Sequence, residues 1–256
     1  METLQSYWCD FQPAGSRPRT RAWSVGGVHG LETLVQSRPV VRDQRANLIE
    51  DFLRVPSQCT LASFAVGRGQ QPVPRLAISR FERWIGIQAE GLPPESVELR
   101  TQLRGKLPGF LARSLRQGGD RELIMLSFLA CLHDICGVGR TYAAPADIRQ
   151  AMRDLDERLG HPPRFHMVVA DGRTTAIFHR GGSLLQLVPE RQKSSRQAIT
   201  GPHTTISQHP TARLLIHDPY APTTDPATDL PEGVEHVANG IYTLSALEAP
   251  VTLVRD

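Results

Sequence analysis

Cysteine and histidine side chains are the groups in this sequence that could carry nucleophilic or metal chemistry. The chain has 256 residues with nine histidines and four cysteines, the latter at Cys9, Cys59, Cys131 and Cys136. Seven of the histidines lie at or after His161, but none is spaced as a helical i, i+4 pair or stands beside a Cys-x-x-Cys unit. The cysteines also lack metal-ligand spacing beyond a lone five-residue offset. We therefore expect neither a bound metal nor a cofactor.

Two pairs of side chains come closest to a site. His166 and His179 flank Asp171-Gly172 at comparable distances and could face each other across a hairpin, but a metal needs more ligands than two. Asp120 and Glu122 begin an apolar helical run, where exposed amide groups favour carboxylates, so capping is their simplest role. The sequence has no Gly-x-Ser-x-Gly elbow, no Walker loop and no dinucleotide-binding glycine fingerprint. Conventional catalytic signatures are absent.

The elements that would position these groups can be read from the periodicity of the apolar residues. The stretches Phe165–Ala170 and Thr174–Phe178 flank Asp171-Gly172, a pair suited to the two central positions of a tight turn because both positions need positive φ. Two helices are predicted before this hairpin, at 120–136 and 146–159. The first is apolar on nearly all sides, which predicts a buried helix.

Strands are predicted on both sides of the two helices. They span 22–28, 58–66, 76–78, 83–89, 183–188, 212–216, 237–244 and 251–254. A further helix is predicted from Asp43 to about Leu53, because its apolar residues fall on one face and Pro56 follows. Strands first, helices in the middle and strands last favour an α+β fold with helices on the outer faces of the sheets.

Composition and charge limit the class of protein. The formal charge of +3 is mildly basic, but the arginines are dispersed, so nucleic-acid binding is not implied. The N-terminus lacks a signal-peptide pattern, and no stretch approaches the length that crosses a bilayer. We expect no membrane association, and cysteines without a disulfide pattern fit the cytoplasm best. Residues 1–21 are predicted to be a loosely ordered N-terminal segment and residues 22–256 a single domain.

The order of two helices and a hairpin in the second half of the chain indicates a protein family. Gly119-Asp120-Arg121-Glu122 begins a buried helix, a second helix ends at Gly160, and the hairpin segment Met167–Gly172 comes next. This order resembles the second half of the class II glutamine amidotransferase domain, which has the N-terminal-nucleophile hydrolase fold. Leu214–Tyr220 and Glu235–Leu244 are similar to later strands of that family. The resemblance implies a four-layer αββα sandwich of two mostly antiparallel sheets with flanking helices.

The first half of the chain resembles the family less and departs from it at the catalytic positions. Family members use an N-terminal cysteine whose own α-amine is the base, an arginine for the substrate carboxylate, an Asn-Gly oxyanion hole and an aspartate for the substrate amine. Here Cys9 is preceded by eight residues, Ser63 and Ala65 stand where the family has histidine and arginine, and residues 89–91 replace Asn-Gly. Asp120 is the one counterpart kept in kind, and the resemblance implies that it binds substrate.

These departures favour a non-catalytic protein with the amidotransferase fold, acting as a binding, scaffolding or regulatory subunit. The implied partner is another protein or a second copy of the chain, so we lean towards the protein not being an enzyme. The alternative is an active amidotransferase or amidohydrolase in which removal of residues 1–8 exposes Cys9 as the nucleophile. A third reading is an unrelated α+β domain with a similar hairpin.

Overall fold

A computed structural model describes the chain over the following residues: 19–29, 32–39, 59–67, 78–88, 92–93, 95–115, 119–137, 142–181, 184–187, 200–201, 204–205, 214–217, 234–245 and 254–255. The described part mixes helices with antiparallel strands. The α+β class predicted from the sequence is thereby confirmed. Cys9, most of the segment 1–21, the helix predicted from Asp43 and residues 89–91 lie outside these ranges.

The elements are numbered in chain order. The helices are α1 Val97–Gly105, α2 Gly109–Ala112, α3 Asp120–Cys136 and α4 Pro145–Leu159. The strands are β1 Arg19–His29, β2 Glu32–Pro39, β3 Cys59–Gly67, β4 Ile78–Phe81, β5 Trp84–Gln88, β6 Phe165–Ala170, β7 Thr174–Arg180, β8 Leu184–Leu187, β9 Thr200–Gly201, β10 Thr204–Thr205, β11 Leu214–His217, β12 Val234–His236, β13 Gly240–Ser245 and β14 Val254–Arg255. The two long helices lie within one residue of their predicted bounds.

The largest sheet has six strands in the order β14-β13-β7-β6-β5-β4, and a second sheet has the order β2-β1-β3. Smaller sheets are formed by β11-β8-β12 and by β10-β9. Side chains alternate between the two faces of a strand. In β6, Met167 and Val169 therefore face the helices, while Ala170 faces the other way and packs with Ile85 and Val35.

The second sheet covers the side of the six-stranded sheet that is opposite the helices. A Cβ atom on Gly26 of β1 would lie 3.3 Å from Ile78 and 3.6 Å from Ile85, so β1 packs directly on β4 and β5. Helices, large sheet and small sheet are thus three successive layers. The fourth layer of the predicted αββα sandwich would need the helix expected from Asp43, and it stays a prediction.

Helix α3 is the centre of the hydrophobic core. Each of its residues from Leu123 to Leu132 is buried, as expected for a helix that is apolar all round. The rings of Trp84 and Phe128 pack in a T-shaped arrangement with 5.7 Å between their centroids. At Gly86 a Cβ would lie 2.6 Å from the sulfur of Met125. Glycine at this position therefore lets β5 approach the helix closely.

Helix α4 covers the same core with one face. Its buried stripe consists of Ile148, Met152, Leu155 and Leu159, the positions predicted from the sequence. Pro145 opens the helix, and Gly160 ends it in the left-handed region at φ 73°.

The β6–β7 hairpin is present, but its turn differs by one residue from the prediction. The backbone N–H of Asp171 donates to the carbonyl of Thr174 at 3.2 Å, so Gly172 and Arg173 are the central residues. Gly172 has φ 88°, whereas neither Asp171 nor Arg173 has positive φ, as in turns that need glycine only at the first central position. The prediction that Asp171 occupies a central position is wrong. Its Oδ1 instead accepts the amide hydrogens of Arg173 and Thr174, at 3.0 and 2.9 Å.

A buried carboxylate joins the end of α4 to the end of β7. Asp156 is 9% exposed at its side chain, and both of its oxygens accept hydrogen bonds of 2.6 Å from the guanidinium of Arg180. The Nδ1 atom of His161 lies 2.7 Å from Oδ2 of the same carboxylate. The bidentate geometry compensates the buried charge.

Replacing Asp156 with alanine is expected to lower the free energy of unfolding by about 3 kcal/mol, because removal of one partner leaves the other charge without compensation. Asp134→Ala is the matched control. Asp134 pairs with Arg158 at 2.9 Å but is 58% exposed, so we expect a loss of about 1 kcal/mol or less. Urea unfolding at pH 7 measures both losses. Equal losses in the two variants would contradict the structural role of Asp156.

Candidate functional site

Asp120, the substrate-binding candidate, is the first residue of α3. Nε of Arg100 in α1 donates to its Oδ1 at 2.7 Å, and Nη2 donates to its Oδ2 at 2.9 Å. The same Nη2 also donates to the carbonyls of Leu92 and Pro93, at 3.1 and 2.9 Å. Arg100 therefore connects α1, the 92–93 segment and the start of α3.

The pairing stabilises the charged form of both side chains. Hydrogen bonding from Arg100 is the largest cause that lowers the pKa of Asp120 below its ordinary value of 3.8, with smaller contributions from the charge of Arg100 and from the Leu92 backbone. Partial burial of the carboxyl opposes this shift. Reciprocally, the hydrogen bond to Asp120 raises the pKa of Arg100.

This geometry restricts what Asp120 can bind. A substrate ammonium group needs a carboxylate oxygen as acceptor and a net negative charge to attract it. Both oxygens of Asp120 already accept hydrogen bonds from a guanidinium, and the pair as a whole is neutral. An ammonium ligand would have to displace Arg100 or share the carboxylate with a like charge.

Among the other catalytic positions that the family resemblance indicated, only those on β3 fall in the described part of the chain. Ser63 and Ala65 lie on β3 and pair with Ser24 and Ala22 of β1. They are therefore adjacent to β1 in the second sheet. Cys9 and residues 89–91 lie outside the described ranges.

Gln88, at the end of β5, is a buried polar residue that the sequence reasoning did not single out. It is 3% exposed, and neither atom of its side-chain amide makes a hydrogen bond within the described residues. Alternation along β5 places Gln88 on the same face as Trp84 and Gly86, towards the helices. A polar residue on the core-facing side of an apolar strand, just before the residues that replace the family's Asn-Gly pair, is a sequence signal that could have identified Gln88.

The predicted pairing of His166 with His179 is observed. The two residues are directly opposite in the β6–β7 register, both are buried, and their ring centroids are 4.7 Å apart with the planes tilted by 37°. They lie on the face turned away from the helices. In the described ranges no group of three or more histidine, cysteine or acidic side chains could hold a metal ion.

Two of the four cysteines have described side chains, and both belong to α3. Cys131 is fully buried, and desolvation raises the pKa of its thiol to about 11. Cys136 is half-buried, with its sulfur 3.7 Å from Oδ2 of Asp147. Because the thiolate is the nucleophilic form, burial makes Cys131 inert at neutral pH.

No protein-family model matches the sequence, and no curated protein is similar to it in sequence. Solved structures are similar in fold. A glutamine aminotransferase class-II domain protein from Silicibacter pomeroyi superimposes with a TM-score of 0.56 and 12% identity, covering 93% of this chain and 94% of that one. A predicted glutamine amidotransferase from Pseudomonas aeruginosa gives 0.45 and 12%, covering 96% and 91%. The glutamine phosphoribosylpyrophosphate amidotransferase of B. subtilis gives 0.49 and 9%, covering 92% and 43%.

The Silicibacter comparison spans nearly the whole of both chains. This chain therefore has the fold of a class II glutamine amidotransferase domain, as its motif order indicated. At 12% identity the similarity concerns the fold alone. Separately, none of the helices in the described ranges has the length and apolar character that crossing a membrane requires.

The Arg100–Asp120 pair makes a prediction about acid stability. A folded-state pKa below 3.8 means that the pair stabilises the protein above that pH, and that this contribution is lost as the pH falls through the lowered pKa. Asp120→Asn should therefore be less stable than the unmodified protein at pH 7, with a difference that shrinks below about pH 4. Arg100→Gln should show the same trend.

Denaturant unfolding between pH 7 and pH 2.5 measures this difference. The matched control is Asp154→Asn, which changes a partly exposed carboxylate that accepts a hydrogen bond from Gln150 rather than from an arginine within the described ranges. A difference between Asp120→Asn and the unmodified protein that is independent of pH would contradict the assignment.

Proposed function

We propose that this protein is a non-catalytic relative of the class II glutamine amidotransferases that acts as a binding, scaffolding or regulatory subunit. The observation that carries the proposal is the bidentate pair between Arg100 and Asp120. Asp120 is the residue to which the resemblance assigns substrate binding, and its carboxylate is already bound by Arg100 of the same protein. The fold supports a relationship to the class II glutamine amidotransferases. The residues at the catalytic positions argue against glutaminase activity.

The sequence departures support the same proposal. With eight residues before Cys9, its nitrogen is part of a peptide bond and cannot accept a proton. Ser63 and Ala65 cannot hold a substrate carboxylate as an arginine does. Losing one oxyanion donor alone costs about 100- to 1000-fold in turnover. Losses of base, anchor and oxyanion hole together leave no expected glutaminase activity.

A binding role needs a partner, and we propose another protein or a second copy of this chain. No cofactor is required by this function. The alternative, an active enzyme, requires removal of residues 1–8 so that Cys9 becomes the first residue with a free α-amine. Cys131 does not substitute for it, because its thiol is buried with a pKa of about 11.

Glutaminase activity is expected to be absent from the protein purified from its native host. Intact-mass measurement should show a chain that does not begin at Cys9, and a glutamine-like electrophile should leave no adduct. Ammonia release from glutamine measures turnover, with Cys9→Ala as the matched control. A chain that begins at Cys9, is labelled and releases ammonia, with both properties lost in Cys9→Ala, would overturn the proposal in favour of the active enzyme.

The proposed binding role predicts that the protein associates with a partner protein or with a second copy of itself. Chemical cross-linking in the native host followed by gentle purification should yield this protein in a stable complex, either with a defined partner or with itself. Light scattering of the purified material gives the mass of the assembly. Recovery only as a free monomer under these conditions would contradict a scaffolding role.

A further inference from the structure

Two arginines stack on one tyrosine at the end of the six-stranded sheet where β4–β5 and β6–β7 turn. The guanidinium carbon of Arg173 lies 3.3 Å from the ring centroid of Tyr142, and that of Arg83 lies 4.6 Å from the same centroid. The two guanidinium carbons are therefore no more than about 8 Å apart. Arg173 is exposed, and Arg83 and Tyr142 are half-buried, so solvent reaches the cluster.

The two arginines occupy equivalent positions in neighbouring hairpins. Phe81 pairs with Trp84 across Glu82-Arg83, and Asp171 bonds to Thr174 across Gly172-Arg173. In each turn the first central residue has positive φ, 51° for Glu82 and 88° for Gly172, and the second is the arginine. Since β5 pairs with β6 through Ile85 and Ala170, the two turns lie side by side.

Hydrogen bonds fix both turns. The hydroxyl of Thr33 in β2, a buried residue, donates to the carbonyl of Glu82 at 2.5 Å. Oδ1 of Asp171 accepts the amide hydrogens of Arg173 and Thr174. The backbone that carries each arginine is therefore held before any ligand arrives, which lowers the entropic cost of binding.

Neither guanidinium of the cluster pairs with a carboxylate in the described ranges. The acidic residues next to them in sequence are Glu82, which is exposed, and Asp171, whose Oδ1 is used by the turn backbone. Elsewhere in the same ranges, Arg100, Arg158 and Arg180 each have a carboxylate partner. Two like charges held over one ring, neither of them in an ion pair within the described ranges, form a site for an anion.

We propose that Arg83, Tyr142 and Arg173 form a binding site for a phosphate monoester. Each guanidinium can offer a pair of N–H groups, and one phosphate with three free oxygens can serve both forks, whereas a carboxylate has two oxygens in all. A bidentate guanidinium places phosphorus about 4 Å from its central carbon, so one phosphate can accept from both forks when the two guanidinium groups turn to the same side of the Tyr142 ring. The dianion also matches the two positive charges.

The site is separate from the region around Asp120. Along α3, Phe128 contacts Trp84, which follows Arg83, and Asp120 lies eight residues earlier, about 12 Å along the helix axis. The proposal therefore stands or fails independently of the proposed lack of glutaminase activity.

Calorimetric titration with inorganic phosphate and with O-phosphoserine, at constant ionic strength, tests the proposal. We expect saturable one-to-one binding, weakened at least about tenfold in Arg173→Gln and in Arg83→Gln because each loses a charged hydrogen-bonding fork. Arg80→Gln, an exposed arginine on the same hairpin, is the matched control and should bind as the unmodified protein does. Arg173→Lys keeps the charge without the fork and should also bind more weakly.

Thermal melting of each variant shows whether it is folded, and Arg173→Lys serves if Arg173→Gln is not. Titration with a phosphoserine peptide distinguishes the two sources of the ligand. Tighter binding of the peptide than of O-phosphoserine indicates a phosphoprotein, and equal binding indicates a small phosphate ester. Absence of saturable binding, an equal loss in Arg80→Gln, or binding of succinate as tight as that of O-phosphoserine would overturn the proposal.

Discussion

The burial of α3 on all sides is the constraint on which the rest of the structure depends. A helix whose residues from Leu123 to Leu132 are all buried must be covered by a sheet on one side and by other helices on the remaining sides. Gly86 makes the sheet contact close, since any side chain there would meet Met125. Deleting a large buried side chain in such a core typically costs about 2–5 kcal/mol.

Two arginine–aspartate ion pairs lie near the ends of the helices that form the core. Arg100 binds Asp120 at the start of α3, and Arg180 binds Asp156 near the end of α4, each with both oxygens of the carboxylate. In both pairs the planar fork of arginine fixes one element against another. We infer that packing and these two pairs together hold the helices and strands of this fold in place.

The sequence predicts the elements that depend on local pattern. Helix α3 follows from its apolar composition, α4 from its stripe and its terminal Pro145 and Gly160, and the facing of His166 and His179 from their distances to the turn. The observed turn lies one residue later than the Asp-Gly pair predicts, because the Asp171 side chain bonds to the backbone and Arg173 takes the second central position. An aspartate can be a central residue of a turn, or it can precede the turn and accept backbone hydrogen bonds with its side chain. The sequence pattern does not distinguish these two roles.

Contacts between distant segments could not be predicted from the sequence. Arg100 and Asp120 are twenty residues apart across an irregular region. Arg83 and Arg173 both reach the Tyr142 ring because the strand order β7-β6-β5-β4 places their two turns side by side. Residue type gives no signal for either arrangement, since surface arginines are common and most are solvated. The fold class and the buried elements were therefore predictable, and the partners of the charged side chains were not.

The proposed lack of glutaminase activity can be tested by reacting a truncated protein that begins at Cys9 with a diazoketone analogue of glutamine. The truncated protein has the free α-amine that the family requires. If it is still inactive, the cause lies in the other catalytic positions, including the Arg100–Asp120 pair. With folding verified by circular dichroism, we expect the intact mass to be unmodified after prolonged incubation. A stoichiometric adduct located on Cys9 would contradict this expectation and would show that the site still recognises glutamine.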